Sequence, residues 1–263
     1  MKNEALSLCP LSTTSQIIPS STRHLCPLAN SICNVFSSSY GKTDAATDRI
    51  MDDEILRVLV ATDNHLGYNE RDSIRSNDSF AAFEEVLITA RDQNVDFVLL
   101  AGDMFHENKP SRRTTHTAMN LLRKHCLGEK PVYTVILSEQ SEIFKSNPSG
   151  KVNYEDPYQS ISLPVFAIHG NHDDTSREGG SGESLAALDL LSVSNLINYF
   201  GKAAQVDDIE ITPVLMKKGE TRIALYGLGE ICPKKNPWTE FFRSHCFGSA
   251  SGMYFYFRRC NKR

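Results

Sequence analysis

The chain has 263 residues, 40% of them hydrophobic, with 28 Lys+Arg against 32 Asp+Glu. This balance excludes fibrous and wholly disordered proteins, and no apolar run approaches the roughly 18 residues of a membrane-spanning helix. The seven cysteines are scattered without a C-x-x-C pair, which argues against a disulfide scaffold or a zinc knuckle. The acidic residues are concentrated between residues 51 and 229, which argues against a protein that simply coats nucleic acid.

The composition divides the chain into three parts. Residues 1–50 are Ser-rich and lack hydrophobic periodicity. They are predicted to be a disordered leader, a transit peptide, or an extension upstream of a start at Met51. Residues 51–229 carry the regular pattern of a folded domain, and the basic residues 230–263 are predicted to be a divergent tail.

The hydrophobic pattern from residue 55 onward predicts strands that alternate with helices. Strands are predicted at 55–61, 97–101 and 163–168, helices at 79–94, 111–126 and 183–193, and a hairpin at 209–216 and 221–226 joined by 217–220. Residues 131–160 form a long polar stretch, predicted to be a functional or mobile loop. Such alternation indicates an α/β sheet with covered faces.

Polar clusters follow the three predicted strands at the point where each strand ends. The first ends in Asp63-Asn64-His65, the second in Gly102-Asp103, and the third in Gly170-Asn171-His172-Asp173. Because the carboxyl ends of parallel strands meet at one sheet edge, these side chains are expected to converge. Carboxylate, imidazole and amide groups without thiolates suit Mn²⁺, Fe²⁺ or catalytic Zn²⁺. Asp103, on the middle strand, is the candidate for a carboxylate shared by two ions.

The remaining histidines of the domain are less informative in the sequence. His106, three residues after Asp103, is predicted either to orient the site or to be a solvated loop residue. His116 and His125 are predicted to lie on the surface or in an interface of the helix at 111–126. His169, at a strand end, is predicted to be a packing residue.

These motifs, D-x-H, G-D and G-N-H-D, resemble those of the calcineurin-like metallophosphoesterase superfamily. Longer blocks resemble the eukaryotic meiotic recombination eleven family of double-strand-break repair nucleases, whose bacterial counterpart is SbcD: VLVATDNHLGYNERDSIRSNDSF, VDFVLLAGDMFHENKPSRRT and LPVFAIHGNHDD. The resemblance extends over residues 55–229. It implies an α/β sandwich of two β-sheets flanked by helices, C-terminally truncated in this chain.

The resemblance also implies an activity and a set of ligands. The family is a manganese-dependent DNA nuclease, a 3′-to-5′ exonuclease on duplex DNA and an endonuclease on single strands, with two ions in its complete site. By resemblance, Asp63 and His65 would hold one ion, Asp103 would bridge, Asn171 would hold the second, and His172 would be catalytic. The basic residues that would meet DNA phosphate follow Asp103, namely Lys109 and Arg112.

The same resemblance implies partners. The family forms a homodimer through helices near 111–126, and residues 131–160 resemble an insertion that receives a nibrin-like subunit. An SMC-like ATPase subunit of the MRN complex binds a region that these residues do not include. The implied localisation is the nucleus, and no membrane association is implied.

The sequence departs from the family pattern after His172. The family site needs three further histidines, two of them in a Gly-His-x-His motif, but the only later histidine is His245. Trp238 precedes His245 by the family spacing, so His245 is either a retained ligand or a coincidence. The chain is therefore expected to be an impaired nuclease, and a non-catalytic module that dimerises and binds nibrin-like partners is the alternative. A phosphoprotein phosphatase is disfavoured because G-D-x-x-D-R-G is absent.

Overall fold

The structure is a computed structural model that describes residues 54–173, 185–202 and 211–229, together with the backbone of four further strands. The strands are β1 (Thr14–Ile17), β2 (Asn34–Ser38), β3 (Leu56–Ala61), β4 (Phe97–Ala101), β5 (Val135–Ile136), β6 (Val165–Ile168), β7 (Asn198–Tyr199), β8 (Val214–Lys218), β9 (Thr221–Leu228), β10 (Phe247–Gly248) and β11 (Tyr254–Arg259). The helices are α1 (Asp78–Asp92), α2 (Arg112–Cys126), α3 (Gln140–Ile143) and α4 (Ala187–Val193). Apart from the four strands, the predictions for residues 1–50 and 230–263 lie outside the described residues.

The strands form two sheets. The first has the order β1-β2-β3-β4-β6-β7, and β3, β4, β6 and β7 run parallel. The second has the order β10-β11-β9-β8-β5 and is antiparallel. The carboxyl ends of the parallel strands therefore meet at one edge of the first sheet.

Side-chain alternation along the parallel strands builds two cores. Leu59 and Leu100 face a core shared with α1, α2 and α4. Val58 and Leu99 face the opposite way, into a core shared with β8 and β9. Strands that are buried on both faces read as continuous apolar runs in the sequence. The predicted sandwich of two sheets with helices is confirmed, and the first sheet is its middle layer.

The predicted elements agree with the structure to within two residues at each end, except that α4 begins at Ala187 rather than at residue 183 and that the hairpin differs. Its first strand begins at Val214 rather than at residue 209, and residues 211–213 are not in a strand. The connection is the two-residue turn Gly219-Glu220 rather than residues 217–220, because Lys217 and Lys218 still pair with β9. Gly219 has a φ of +54°, which suits a tight two-residue hairpin turn.

Residues 131–160 are not a bare loop. They contain β5, α3 and a 3₁₀ turn at Asn153–Glu155. The buried side chains of Asn153 and Asn198 join the turn to the first sheet: the backbone N–H of Asn153 donates to Oδ1 of Asn198 at 2.8 Å, and Nδ2 of Asn198 donates to Oδ1 of Asn153 at 2.9 Å. Polar residues are buried here because each supplies the other's hydrogen bond, which a hydrophobic pattern cannot reveal.

The pair α1 and α2 is joined by a polar contact that contradicts one sequence prediction. His125 was expected on the surface or in an interface, but its side chain is only 4% exposed and its Nε2 lies 3.0 Å from Oε1 of Glu84. The same oxygen accepts from Nζ of Lys124 at 2.6 Å. Within the described segments, no helix combines the length and the apolar character needed to cross a membrane.

Candidate metal centre

The loops after β3 and β4 run side by side beyond the ends of their strands. The backbone N–H of His65 donates to the carbonyl of Asp103 at 3.0 Å, and the N–H of Leu66 donates to the carbonyl of Met104 at 2.8 Å. The N–H of His106 donates back to the carbonyl of Leu66 at 3.0 Å. This continued parallel pairing brings residues some forty positions apart in the sequence into one site.

Three of the candidate ligands adopt the left-handed backbone conformation. Their φ angles are +55° at Asp63, +46° at His65 and +48° at Asp103. Non-glycine residues seldom adopt this conformation, although Asp and His tolerate it better than most, and it costs on the order of 1–3 kcal/mol per residue. Such strain is typical of functional sites, and here it turns three side chains toward one point.

Asp63, His65 and Asp103 form a group that fits a divalent cation. Their candidate ligand atoms all lie within 4.8 Å of one another. Asp103 is fully buried, and its Oδ2 has no hydrogen-bond partner among the described residues. A buried carboxylate oxygen without a partner is costly unless a cation neutralises it. The donor set of two carboxylates and one imidazole suits Mn²⁺, Fe²⁺ or Zn²⁺.

Asp173 ties the loop after β6 to the loop after β4. One carboxylate oxygen accepts from the backbone N–H of Met104 at 2.7 Å and of Phe105 at 3.3 Å, and the other accepts from Gly170 at 2.6 Å. Asp173 is fully buried. Desolvation by burial raises the pKa of its carboxyl to about 6, against the lowering effect of the Gly170 hydrogen bond.

His172 is positioned by two residues of the neighbouring loop. Its backbone N–H donates to Oδ1 of Asp103 at 2.9 Å, and its ring Nδ1 lies 2.8 Å from the carbonyl oxygen of His106. A carbonyl only accepts, so Nδ1 carries the proton and Nε2 is the nitrogen that is left for chemistry. His172 therefore lies beside the carboxylate of Asp103, which is the convergence that the sequence predicts.

The sequence predicts His106 either to orient the site or to be a solvated loop residue, and the structure places it in the site. Its Nδ1 lies 3.4 Å from Nδ1 of His65, and its ring stacks on that of His172 with centroids 5.2 Å apart. The ring of Tyr68 contacts it edge-on, with centroids 4.9 Å apart. Its spacing of three residues from Asp103 was the one sequence signal, and the loop geometry decides between the two alternatives.

The other sequence candidates differ in their burial. Asn171 precedes His172 on the loop after β6 and is exposed, as are Lys109 and Arg112 near the start of α2. Their assignments as a ligand and as DNA contacts stay predictions. His169 is buried and its Nδ1 lies 2.7 Å from the hydroxyl of Tyr199, so the prediction of a packing role is confirmed. His245 lies outside the described residues.

Burial favours the neutral form of two of the clustered imidazoles by lowering the pKa of each. Desolvation lowers the pKa of His65, with the carboxylate of Asp103 acting in the opposite direction. Desolvation also lowers the pKa of His106, and the nearby ring of His172 lowers it further. A neutral ring offers a lone pair, which a metal ligand requires.

Comparison with known families agrees with this geometry. The pattern described as calcineurin-like phosphoesterase matches residues 56–246. The chain belongs to the calcineurin-like phosphoesterase family. The members' metal-dependent chemistry is consistent with the clustered Asp and His residues at the carboxyl edge of the first sheet.

The phosphoesterase chain is similar to double-strand break repair proteins. It is 50% identical over 187 residues to human double-strand break repair protein MRE11, and 54% identical over 182 residues to the Arabidopsis thaliana protein of that name. It is 48% identical over 178 residues to Neurospora crassa double-strand break repair protein mus-23. These matches cover 71%, 68% and 68% of this chain but 26%, 25% and 23% of the relatives. The chain thus spans about a quarter of the length of these relatives.

Proposed function

We propose that this phosphoesterase domain is the nuclease part of a subunit of a DNA double-strand-break repair complex. The single observation that carries the proposal is the Asp63–His65–Asp103 group, in which one oxygen of a fully buried carboxylate has no hydrogen-bond partner among the described residues. The names of its relatives supply the biological setting, since each is a double-strand break repair protein. The proposed substrate is DNA, cut as a 3′-to-5′ exonuclease on duplexes and as an endonuclease on single strands.

The proposed cofactor is Mn²⁺, with two ions in a complete site. Asp63 and His65 would hold one ion, Asp103 would be shared, and Asn171 would belong to the second. Divalent ions supply charge neutralisation of the phosphate and an activated water when they are bound. In support of this proposal, Asp63, His65 and Asp103 follow parallel strands at the carboxyl edge of the first sheet, where a phosphate would approach from solvent.

His172 is the proposed catalytic acid of this site. Its Nδ1–H is held by the carbonyl of His106, so a proton on Nε2 is the one that can reach the leaving oxygen. Lys109 and Arg112 are exposed near the start of α2 and would position the DNA backbone.

We further propose that turnover by the 263-residue chain is weak. The family's later histidines have no counterpart among the residues after His172 other than His245. Fewer ligands weaken metal affinity, because ligand number and geometry set the strength of a site. The expected setting is the nucleus, with a homodimer, a nibrin-like subunit on residues 131–160 and an SMC-like ATPase as partners.

The test is a manganese-dependent nuclease assay on labelled duplex DNA and on circular single-stranded DNA. The variants are Asp103→Asn and His172→Ala, and the matched controls are Asp92→Asn at the end of α1 and His116→Ala on the exposed side of α2. We expect slow cleavage that the controls retain and that both site variants reduce by about 10²-fold or more.

Two outcomes would overturn the proposal. Cleavage that Asp103→Asn leaves unchanged would place the activity elsewhere or in a contaminant. Absence of cleavage by the wild-type chain, with manganese present, would favour the non-catalytic interaction module.

A further inference from the structure

The imidazole rings of His65, His106 and His172 lie close together, on the side of His65 that faces away from Asp63. The ring centroids of His65 and His106 are 5.4 Å apart, those of His65 and His172 are 4.7 Å apart, and those of His106 and His172 are 5.2 Å apart. A ligand nitrogen from each ring lies within 4.8 Å of the others. The three rings come from three different loops, so their convergence is a property of the fold.

The spacing of two ring nitrogens suits a tetrahedral ion. Nδ1 of His65 lies 3.4 Å from Nδ1 of His106. This is long for a hydrogen bond between nitrogens, whose usual separation is about 3 Å. Two nitrogens bound to one tetrahedral zinc at about 2.0–2.1 Å are separated by about 3.3–3.4 Å. The two lone pairs therefore lie at the distance that a shared cation requires.

The hydrogen bond from Nδ1 of His172 to the carbonyl of His106 leaves the other ring nitrogen available as a third ligand. Because Nδ1 donates to the carbonyl of His106, the lone pair of the neutral ring is on Nε2. A ligating histidine ordinarily donates its second ring nitrogen to a carbonyl or a carboxylate in this way, which fixes its tautomer and orientation. His106 thus contributes both a ring and a supporting carbonyl.

We propose that His65, His106 and His172 form a mononuclear site for Zn²⁺ or Co²⁺, which overlaps at His65 with the Asp63–His65–Asp103 group proposed to hold manganese. An all-imidazole set favours zinc and cobalt, whereas manganese prefers sites rich in oxygen ligands. Three protein ligands leave a fourth position for water or an anion such as phosphate. The site needs none of the residues after His172.

The two sites share His65 and therefore exclude each other there. Nδ1 of His65 faces His106, while Nε2 lies 3.8 Å from Oδ1 of Asp63. A neutral imidazole has one lone pair, so an ion bound beside His106 withdraws His65 from the aspartate group. Zinc bound at the three histidines is expected to weaken manganese binding. This last step rests on the proposed function.

The experiment measures Zn²⁺ and Mn²⁺ binding by calorimetry and Co²⁺ binding by visible absorption. His106→Phe removes the ligand nitrogens but keeps a ring between Tyr68 and His172, and His116→Phe on α2 is its matched control. Asp103→Asn tests the other group, and its Oδ1 can still accept from the N–H of His172. Far-ultraviolet circular dichroism reports whether each variant is folded.

The expected result is that each variant weakens the binding of one metal and leaves the binding of the other unchanged. His106→Phe weakens zinc binding by at least about tenfold and abolishes the intense tetrahedral cobalt bands, while Asp103→Asn retains both. Manganese binding shows the reverse dependence. Zinc binding by the Asp103→Asn protein that survives the addition of His106→Phe, or a cobalt spectrum of the weak octahedral type, would overturn the three-histidine site. Neither result would touch the nuclease proposal, which fails separately if manganese binding is indifferent to Asp103→Asn.

Discussion

The ammonium group of Lys218 lies 2.7 Å from Oδ1 of Asp96, and their side chains are only 9% and 11% exposed. Lys218 also donates to the carbonyl of Ile55 at 2.8 Å, and the other oxygen of Asp96 accepts from the N–H of Arg57 at 2.8 Å. Since Lys218 ends β8 and Asp96 precedes β4, the pair joins the second sheet to the first through a fully hydrogen-bonded contact.

Removing one member of this pair is expected to be strongly destabilising. Lys218→Met leaves the carboxylate of Asp96 buried and unpaired, which costs about 3–5 kcal/mol of the free energy of unfolding. The matched control is Lys217→Met, because Lys217 contacts Glu220 at 3.7 Å on the surface and such pairs contribute about 0–1 kcal/mol. Urea unfolding followed by circular dichroism measures both. Equal midpoints for the two variants would show that the buried pair does not hold the sheets together.

The packing of the two sheets also depends on the absence of a side chain at Gly227. A Cβ at this position would lie 2.4 Å from Cε2 of Phe200 and 2.9 Å from Cγ2 of Ile168. We expect Gly227→Ala to lower the free energy of unfolding by about 1–3 kcal/mol, because both neighbours belong to the packed core. Gly128→Ala is the control, since its closest contact is the hydroxyl of Ser162, which can rotate away. A thermal midpoint of Gly227→Ala as high as that of the control would contradict the close approach.

The contact between α1 and α2 predicts a pH dependence of stability. Hydrogen bonds from Lys124 and then from His125 lower the pKa of Glu84 below its ordinary value. A carboxylate with a lowered folded-state pKa stabilises the fold above its unfolded pKa of about 4.5, and this contribution is lost as the pH falls through the folded-state pKa. Glu84→Gln is therefore expected to be less stable than the wild type at pH 7.

The gap between Glu84→Gln and the wild type is expected to shrink as the pH falls below about 4. Urea midpoints of both proteins between pH 3 and pH 7 measure this gap, with Asp92→Asn, at the exposed end of α1, as the control. A gap that stays constant over this range would mean that the charge of Glu84 contributes nothing.

Much of this site could be predicted from the sequence, because the end of each strand is marked by neighbouring residues in the chain. Apolar runs predict β3, β4 and β6, and each is followed by its polar cluster, so parallel pairing alone brings Asp63, Asp103 and His172 to one edge. The place of His106 could not be predicted, because it depends on the backbone bond to Leu66 that continues the pairing of the loops. A three-residue spacing within a loop does not determine where a side chain points.

The segment at 131–160 is a part of the fold that the sequence pattern does not predict. It is polar and was predicted to be a long loop, yet Asn153 is fully buried against Asn198, forty-five residues away. Burial of polar residues depends on partners that are distant in the sequence, and hydrophobic periodicity carries no information about them. The same reason explains why the sequence predicts His125, which is paired with Glu84, on the surface or in an interface rather than in the core.

The carboxylate of Asp103 is expected to lower the stability of the metal-free protein and to bind the metal ion that restores it. Its carboxylate is fully buried with Oδ2 unpartnered among the described residues, so without a cation its charge is uncompensated. Asp103→Asn removes the charge and keeps an oxygen for the N–H of His172. In EDTA we therefore expect Asp103→Asn to be more stable than the wild type by about 1–3 kcal/mol. Added Mn²⁺ is expected to raise the melting temperature of the wild type only, since a ligand stabilises the state that binds it.

Differential scanning calorimetry in EDTA and in a manganese series measures both effects, and Asp92→Asn controls for the loss of an exposed carboxylate. The informative result is that the order of stability reverses: Asp103→Asn is the more stable protein in EDTA, and added manganese favours the wild type. A destabilised Asp103→Asn in EDTA would mean that the carboxylate is satisfied by the protein alone. An equal manganese shift in both proteins would place the ion away from Asp103.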